Sequence, residues 1–150
     1  MLFRSETGQL QKATNAAQII PFPPAKVRAL LMVADAWAKT GDRPTAERLL
    51  TQAVEEAGSN RDELSWVALS YAQIGDIPTA LTVARKIPHE VVRSNTYREI
   101  ADIQTHRGEA KSVLNWVADL ESPYSKSAAL LGIALGIIRK NGIDVANSVL

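Results

Sequence analysis

Cysteine is absent from the 150 residues, so neither a disulfide framework nor a thiolate zinc site can form. Aromatics are scarce, at 5%, which leaves the core to Ala, Leu, Val and Ile. No charge sign dominates: 17 Lys+Arg stand against 16 Asp+Glu, a net charge of +1. A chain so near neutrality lacks the global field expected of a nucleic-acid or membrane-surface binder. Long apolar runs are also missing. The longest, Ala128–Ile138, has 11 residues. A membrane-spanning helix needs roughly 20, so no membrane insertion is expected. Polar Ser5-Glu6-Thr7 follows Met1–Arg4 at once, without the apolar stretch of a secretory leader. A cytoplasmic location is therefore the default expectation. What is present is an apolar content of 46% in a length suited to one domain with a real core.

That content is periodic. Gly41-Asp42-Arg43-Pro44-Thr45-Ala46 and Gly75-Asp76-Ile77-Pro78-Thr79-Ala80 nearly coincide at a spacing of 34 residues. The same slot recurs at Gly8, Gly108 and Asn141, with steps of 33, 34, 33 and 33. Asn is the next-best residue after Gly for a left-handed turn, which keeps the backbone logic of the fifth copy. A period in the low thirties points to a helical solenoid.

Other columns keep this register. Small residues lie seven before the anchor (Ala34, Ala68, Ala101, Ala134) and five after it (Ala13, Ala46, Ala80, Val113, Ala146). Apolar residues lie eleven before (Leu30, Leu64, Tyr97, Leu130), eight before (Val33, Val67, Ile100, Ile133) and twelve after (Ile20, Ala53, Ile87, Leu120). Offsets that mix threes and fours are helical. Each copy thus predicts helix, short turn, helix, with paired alanines letting two axes approach. Asp42 and Asp76 are candidate caps, with Pro44 and Pro78 in the first turn. Asn60 with Glu63 resembles a capping box, and Ser122-Pro123 opens a helix in the same way. The expected helices span 9–20, 25–40, 43–57, 61–74, 77–87, 90–107, 110–120, 124–140 and 143–150.

The period, the small residue before the turn, the turn glycine and the alanine after it resemble tetratricopeptide-type repeats across almost the whole chain. Trp37 and Tyr71, four before their glycines, look like the family's usual tyrosine, which Gln104 and Ile137 replace later; the family's proline is displaced. The resemblance implies an all-α fold, a right-handed α-α superhelix of stacked helical hairpins. It divides into residues 1–24 (the second helix of an incomplete repeat), full repeats at 25–58, 59–91 and 92–124, and a truncated one at 125–150. It also implies a non-enzymatic adaptor that holds a protein or peptide on a concave groove lined by first helices. Carried onto this chain, that groove comprises Arg28, Leu31, Asp35 and Lys39; Asp62, Ser65, Leu69 and Gln73; Asn95, Arg98, Asp102 and His106; and Ala128, Leu131, Leu135 and Arg139. Asp35 and Asp102 stand where a carboxylate-clamping subclass needs asparagine, so such a clamp is not expected.

No catalytic constellation competes with this reading. The chain contains no H-E-x-x-H, G-x-S-x-G, phosphate loop or G-x-G-x-x-G, and no cofactor is implied. His106 is a candidate metal ligand or base, or simply a solvated histidine; His89 is 17 residues away. Asp35–Lys39 and Arg98–Asp102 have i, i+4 spacing and serve either a partner or the helix itself. Lys26, Arg93 and Lys126 share a column completed by Asn60, either a basic ladder for an acidic partner or polar helix starts. Gly132-x-x-x-Gly136 predicts tight helix packing in water. The flanking residues are apolar nearly all round, and a solenoid whose end repeats lack polar caps seeks company, including a homo-oligomer through its ends. RNA binding by helical repeats and an accessory role in an enzyme complex are the alternative functions.

Overall fold

The computed structural model describes the backbone of residues 2–142 and the side chains of residues 5–142. Among these residues the chain is all-helical, with no strand. Eight helices follow one another: α1 (Leu2–Gln18), α2 (Pro23–Lys39), α3 (Arg43–Ala57), α4 (Arg61–Gln73), α5 (Ile77–Arg85), α6 (Glu90–His106), α7 (Ala110–Ala118) and α8 (Pro123–Lys140). None is long and apolar enough to cross a membrane. The expected helix at 143–150, with Ala146, lies outside the described residues.

Local chemistry sets the boundaries. Gly41 and Gly75 have φ of +90° and +87°, a left-handed conformation open to glycine, and end α2 and α4. The next residue then restarts the chain. The Asp42 carboxylate accepts from the Thr45 N–H at 3.0 Å, and Asp76 from Thr79 at 3.1 Å, with proline in each first turn. Ser122 caps α8 by accepting from the Ser125 N–H. At α4 the capping box is half-formed. Asn60 accepts from the Asp62 and Glu63 amides, but its own N–H goes to the Ala57 carbonyl, so Glu63 has no amide to receive.

Two of the five expected bends are displaced. Gly8 lies inside α1, which runs unbroken from Leu2. Gln9 follows it, with neither the capping aspartate nor the proline found after Gly41 and Gly75; Gly108 bends without either, so the residues after the glycine do not by themselves account for the difference. The buried face of α1 is shifted accordingly: Thr14 and Ala17 point inward, and Ala13 is exposed. At the far end Asn141 remains right-handed at φ −84°, and Gly142 takes the left-handed position at +68°. Helix α8 is thereby one residue longer than its forerunners' register implies.

All substantial packing joins helices one or two apart in the chain. The even-numbered helices adjoin in a row, α2 to α4 to α6 to α8. Helix α3 touches both α2 and α4, α5 both α4 and α6, and α7 both α6 and α8; α1 lies against α2. The core fills the space between these layers. Leu30, Leu64, Val67, Ile100, Leu49, Leu50, Ile87 and Val113 are fully buried, and the small residues Ala34, Ala68, Ala46 and Ala80 sit where axes approach. The column four before each turn carries polar tips across the layers. The Trp37 indole donates to Thr14 Oγ1 at 3.0 Å, Tyr71 shares a 3.2 Å hydrogen bond with Thr51, and the Gln104 carbonyl accepts from the Trp116 indole at 3.0 Å.

Candidate functional site

The row of even-numbered helices is not evenly spaced, and one column of side chains accounts for it. In α8 and α4 the residue nine before the turn meets the preceding even helix. In α8 it is Gly132, which lies directly on the Arg98 carbonyl and Ala101 of α6. In α4 it is Trp66, beside Arg28 of α2, whereas Glu99 of α6 is exposed and approaches Arg98 of its own helix. Among the described helices α6 and α8 share the most extensive packing, α4 and α6 share less, and α2 and α4 less again. A glycine lets backbones meet, whereas an indole holds them apart.

The row is therefore closed at one end and open at the other. At the closed end Arg139 reaches from α8 to the Asp102 carboxylate of α6, at 2.8 and 3.0 Å. This replaces the expected pair within α6; Arg98 instead approaches Glu99 at 3.8 Å. At the junction of α4 and α6, Ser65 and Thr96 share a 2.7 Å hydrogen bond. Arg107 donates to the carbonyls of Ala72 and Gln73 and so caps the C-terminus of α4.

At the open end Trp66 is 39% exposed, with the Arg28 guanidinium over its ring at 5.4 Å from the centroid. Leu31 and Leu69 flank this pair, both half-buried. Between the C-terminal ends of α2 and α4 lies a cleft of about 330 Å³ lined by Asp35, Ala38, Lys39, Arg43, Gln73 and Ile74. Its charges are paired locally, Lys39 with Asp35 at 2.5 Å and Arg43 with Glu47 at 2.6 Å. The Glu47 contact also pushes the Arg43 guanidinium pKa up. The expected Asp35–Lys39 pair is thus present and lies at the rim of a cleft.

The expected groove residues divide along the same line. Arg28 lies over Trp66, Asp35, Lys39 and Gln73 line the cleft, and Leu31 and Leu69 are half-buried on the same two helices. Asp62 is exposed at the start of α4, and Ser65 is tied to α6. Asp102 and Arg139 are joined to each other, Arg98 and Asn95 are half-buried, and His106 is exposed at the end of α6. Among the described residues no group of three His, Asp or Glu side chains could hold a metal ion. Trp66 was not singled out by its pattern, because one exposed tryptophan leaves no periodic trace; its position beside the Arg28 column was the available signal.

The basic column is tied into the scaffold in two of its members. Lys26 pairs with Glu56 of α3, and Arg93 donates to the Ile87 carbonyl at 2.6 Å. A cavity of about 410 Å³ adjoins Arg93, but its rim mixes Arg85 with Asp119 and Glu121 and has no single sign of charge. Comparison with protein-family models, curated proteins and solved structures yields no match.

Proposed function

We propose that this chain is a non-enzymatic interaction module, a tetratricopeptide-like right-handed superhelix of hairpins, that holds a segment of another protein across α2 and α4. The observation that carries this reading is the exposed Trp66 with Arg28 over its ring, on the same two helices whose C-terminal ends line a cleft. Tryptophan and arginine are the side chains most often found at interface hot spots, where a large apolar face and a fork of donors act together. Leu31 and Leu69, one turn further along the same helices, are half-buried, and Asp35, Lys39 and Gln73 offer donors and acceptors in the cleft lining. A peptide with an apolar anchor and polar flanks of both signs matches this surface. The turn spacing at Gly41, Gly75 and Gly108 and the contacts between successive even helices support the repeat reading.

Selection of a displayed peptide library on the full chain tests the proposal. Enriched peptides should share an apolar anchor and lose binding at least tenfold with Trp66→Ala, while retaining it with Lys111→Ala on the remote helix α7. Enriched peptides indifferent to Trp66→Ala, or no enrichment at all, would overturn it.

A further inference from the structure

We propose that the cavity between α5, α6 and the turn from α7 to α8 binds a small zwitterion of the amino-acid class, its carboxylate held by Arg85, Arg93 and Tyr97 and its ammonium by Asp119 and Glu121. All five residues line this one cavity, whose volume of about 410 Å³ is that of a small-molecule site. Tyr97 is part of the wall although only 3% exposed, and its ring is set against Trp116 at 6.0 Å between centroids. The column of Tyr97 otherwise holds Leu30, Leu64 and Leu130, so a hydroxyl stands here where the other copies carry a leucine.

Two guanidinium groups accompany that hydroxyl. Burial pushes the Tyr97 pKa up against the opposing pull of Arg85 and Arg93, so the phenol keeps its proton at neutral pH and can donate it. Arg93 is half-buried and gives one N–H to the Ile87 carbonyl at 2.6 Å, which fixes the group and leaves other donors for a ligand. An arginine fork suits a carboxylate, since it donates to both oxygens. The Ser122 and Ser125 hydroxyls, also in the lining, are engaged with Glu90 and Ser94 at 2.7 Å and belong to the scaffold.

The same lining carries two anions. Asp119 follows α7 and Glu121 lies in the turn before α8, both exposed. None of Arg85, Arg93, Asp119 and Glu121 is in an ion pair among the described residues. Elsewhere opposite charges on neighbouring helices do close, Arg139 on Asp102 and Lys26 on Glu56. Two charges of each sign thus face one cavity unmatched. An anion there would be opposed by the two carboxylates, and a cation by the two arginines. A molecule with one group of each sign meets both, and a free amino acid is such a molecule.

Isothermal titration of the full chain with a panel of free amino acids, α and ω, should show saturable binding of at least one. Its N-acetyl and its amide derivatives each keep one of the two charges and should bind at least tenfold more weakly. Arg85→Ala, at an exposed position, should lose at least tenfold in affinity, and so should the double variant Asp119→Asn with Glu121→Gln, both with unchanged helical circular dichroism. Trp66→Ala, outside the cavity lining, should bind as the parent does, which separates this site from the cleft of α2 and α4. No binding by any member of the panel, derivatives that bind as tightly as the amino acid, or variants without effect would overturn the proposal. Inorganic phosphate that binds and is strengthened by the double variant, with no amino acid bound, would overturn it in favour of a simple anion site.

Discussion

Gly136 of α8 lies so near Thr105 of α6 that a β-carbon on Gly136 would stand 2.6 Å from the Thr105 β-carbon. The Asp102 carbonyl would be 2.7 Å away, and a backbone atom cannot swing aside as a side chain can. Gly136→Ala should therefore force α8 away from α6. Overpacking of this kind costs about 1–3 kcal/mol, and a rigid backbone neighbour favours the upper end. Thermal unfolding of the variant should fall by roughly 2–4 °C for each kcal/mol lost. An unchanged midpoint would show that the two helices are not in this contact.

Two other glycines should respond to alanine in opposite directions. Gly8 is inside α1, and a β-carbon there meets nothing within 4 Å. Gly8→Ala removes the helix penalty of glycine and should stabilise by about 0.5–1 kcal/mol. Gly41 also has open space around it, but its φ is +90°. Gly41→Ala should destabilise by about 1–2 kcal/mol, because an L side chain clashes with its own carbonyl in that conformation. Denaturant midpoints of the pair separate an uninterrupted α1 from a bend at Gly8, where both substitutions would destabilise.

Glu63 gives stability a pH dependence. Its side chain is 4% exposed, and burial, with Asp62 next to it, pushes its pKa above the ordinary carboxylate value. Folding thus favours the protonated form. The stability that this group contributes is complete below its unfolded pKa and is lost as pH rises through the folded one. Glu63→Gln should unfold at a higher temperature than the parent at neutral pH, and the gap should close on acidification below the ordinary glutamate range. A gap that widens on acidification would contradict the burial of Glu63.

The Arg139–Asp102 bridge should matter little to stability. The Arg139 side chain is 52% exposed, and solvent screens such a pair. Asp102→Asn should change the unfolding free energy by about 1 kcal/mol or less, as read from denaturant titration. A much larger loss would show that the bridge, not the glycine seat, holds α6 to α8.

Local signals made much of the architecture legible. Asp42 and Asp76 cap helices by bonds to residues three further on, and Gly41 and Gly75 adopt a conformation that their residue type permits. Both effects act within a few residues, so a single chain displays them. Gly8 and Asn141 misled because spacing alone does not make a turn. Gly8 continues α1 while Gly108, equally without a capping aspartate or proline after it, bends, and Asn141 has Gly142 beside it, which takes the left-handed position at lower cost. Asp102 misled for a different reason: Arg98 is its neighbour along α6, but Arg139 from α8 arrives at a better distance.

The chain by itself determined that it would be helical, where its hairpins would bend at Gly41, Gly75 and Gly108, and which columns would be buried around those three turns; in the end copies Ala13, Leu130 and Ala134 are exposed. These follow from periodicity, caps and backbone freedom, all local. Only tertiary structure decided how far apart the even-numbered helices stand, and hence where a cleft opens. That distance depends on what one residue meets on another helix some 30 residues away: Gly132 lies on the backbone of α6, so α8 closes on it, while Trp66 and Arg28 stand together at the less extensively packed junction of α2 and α4.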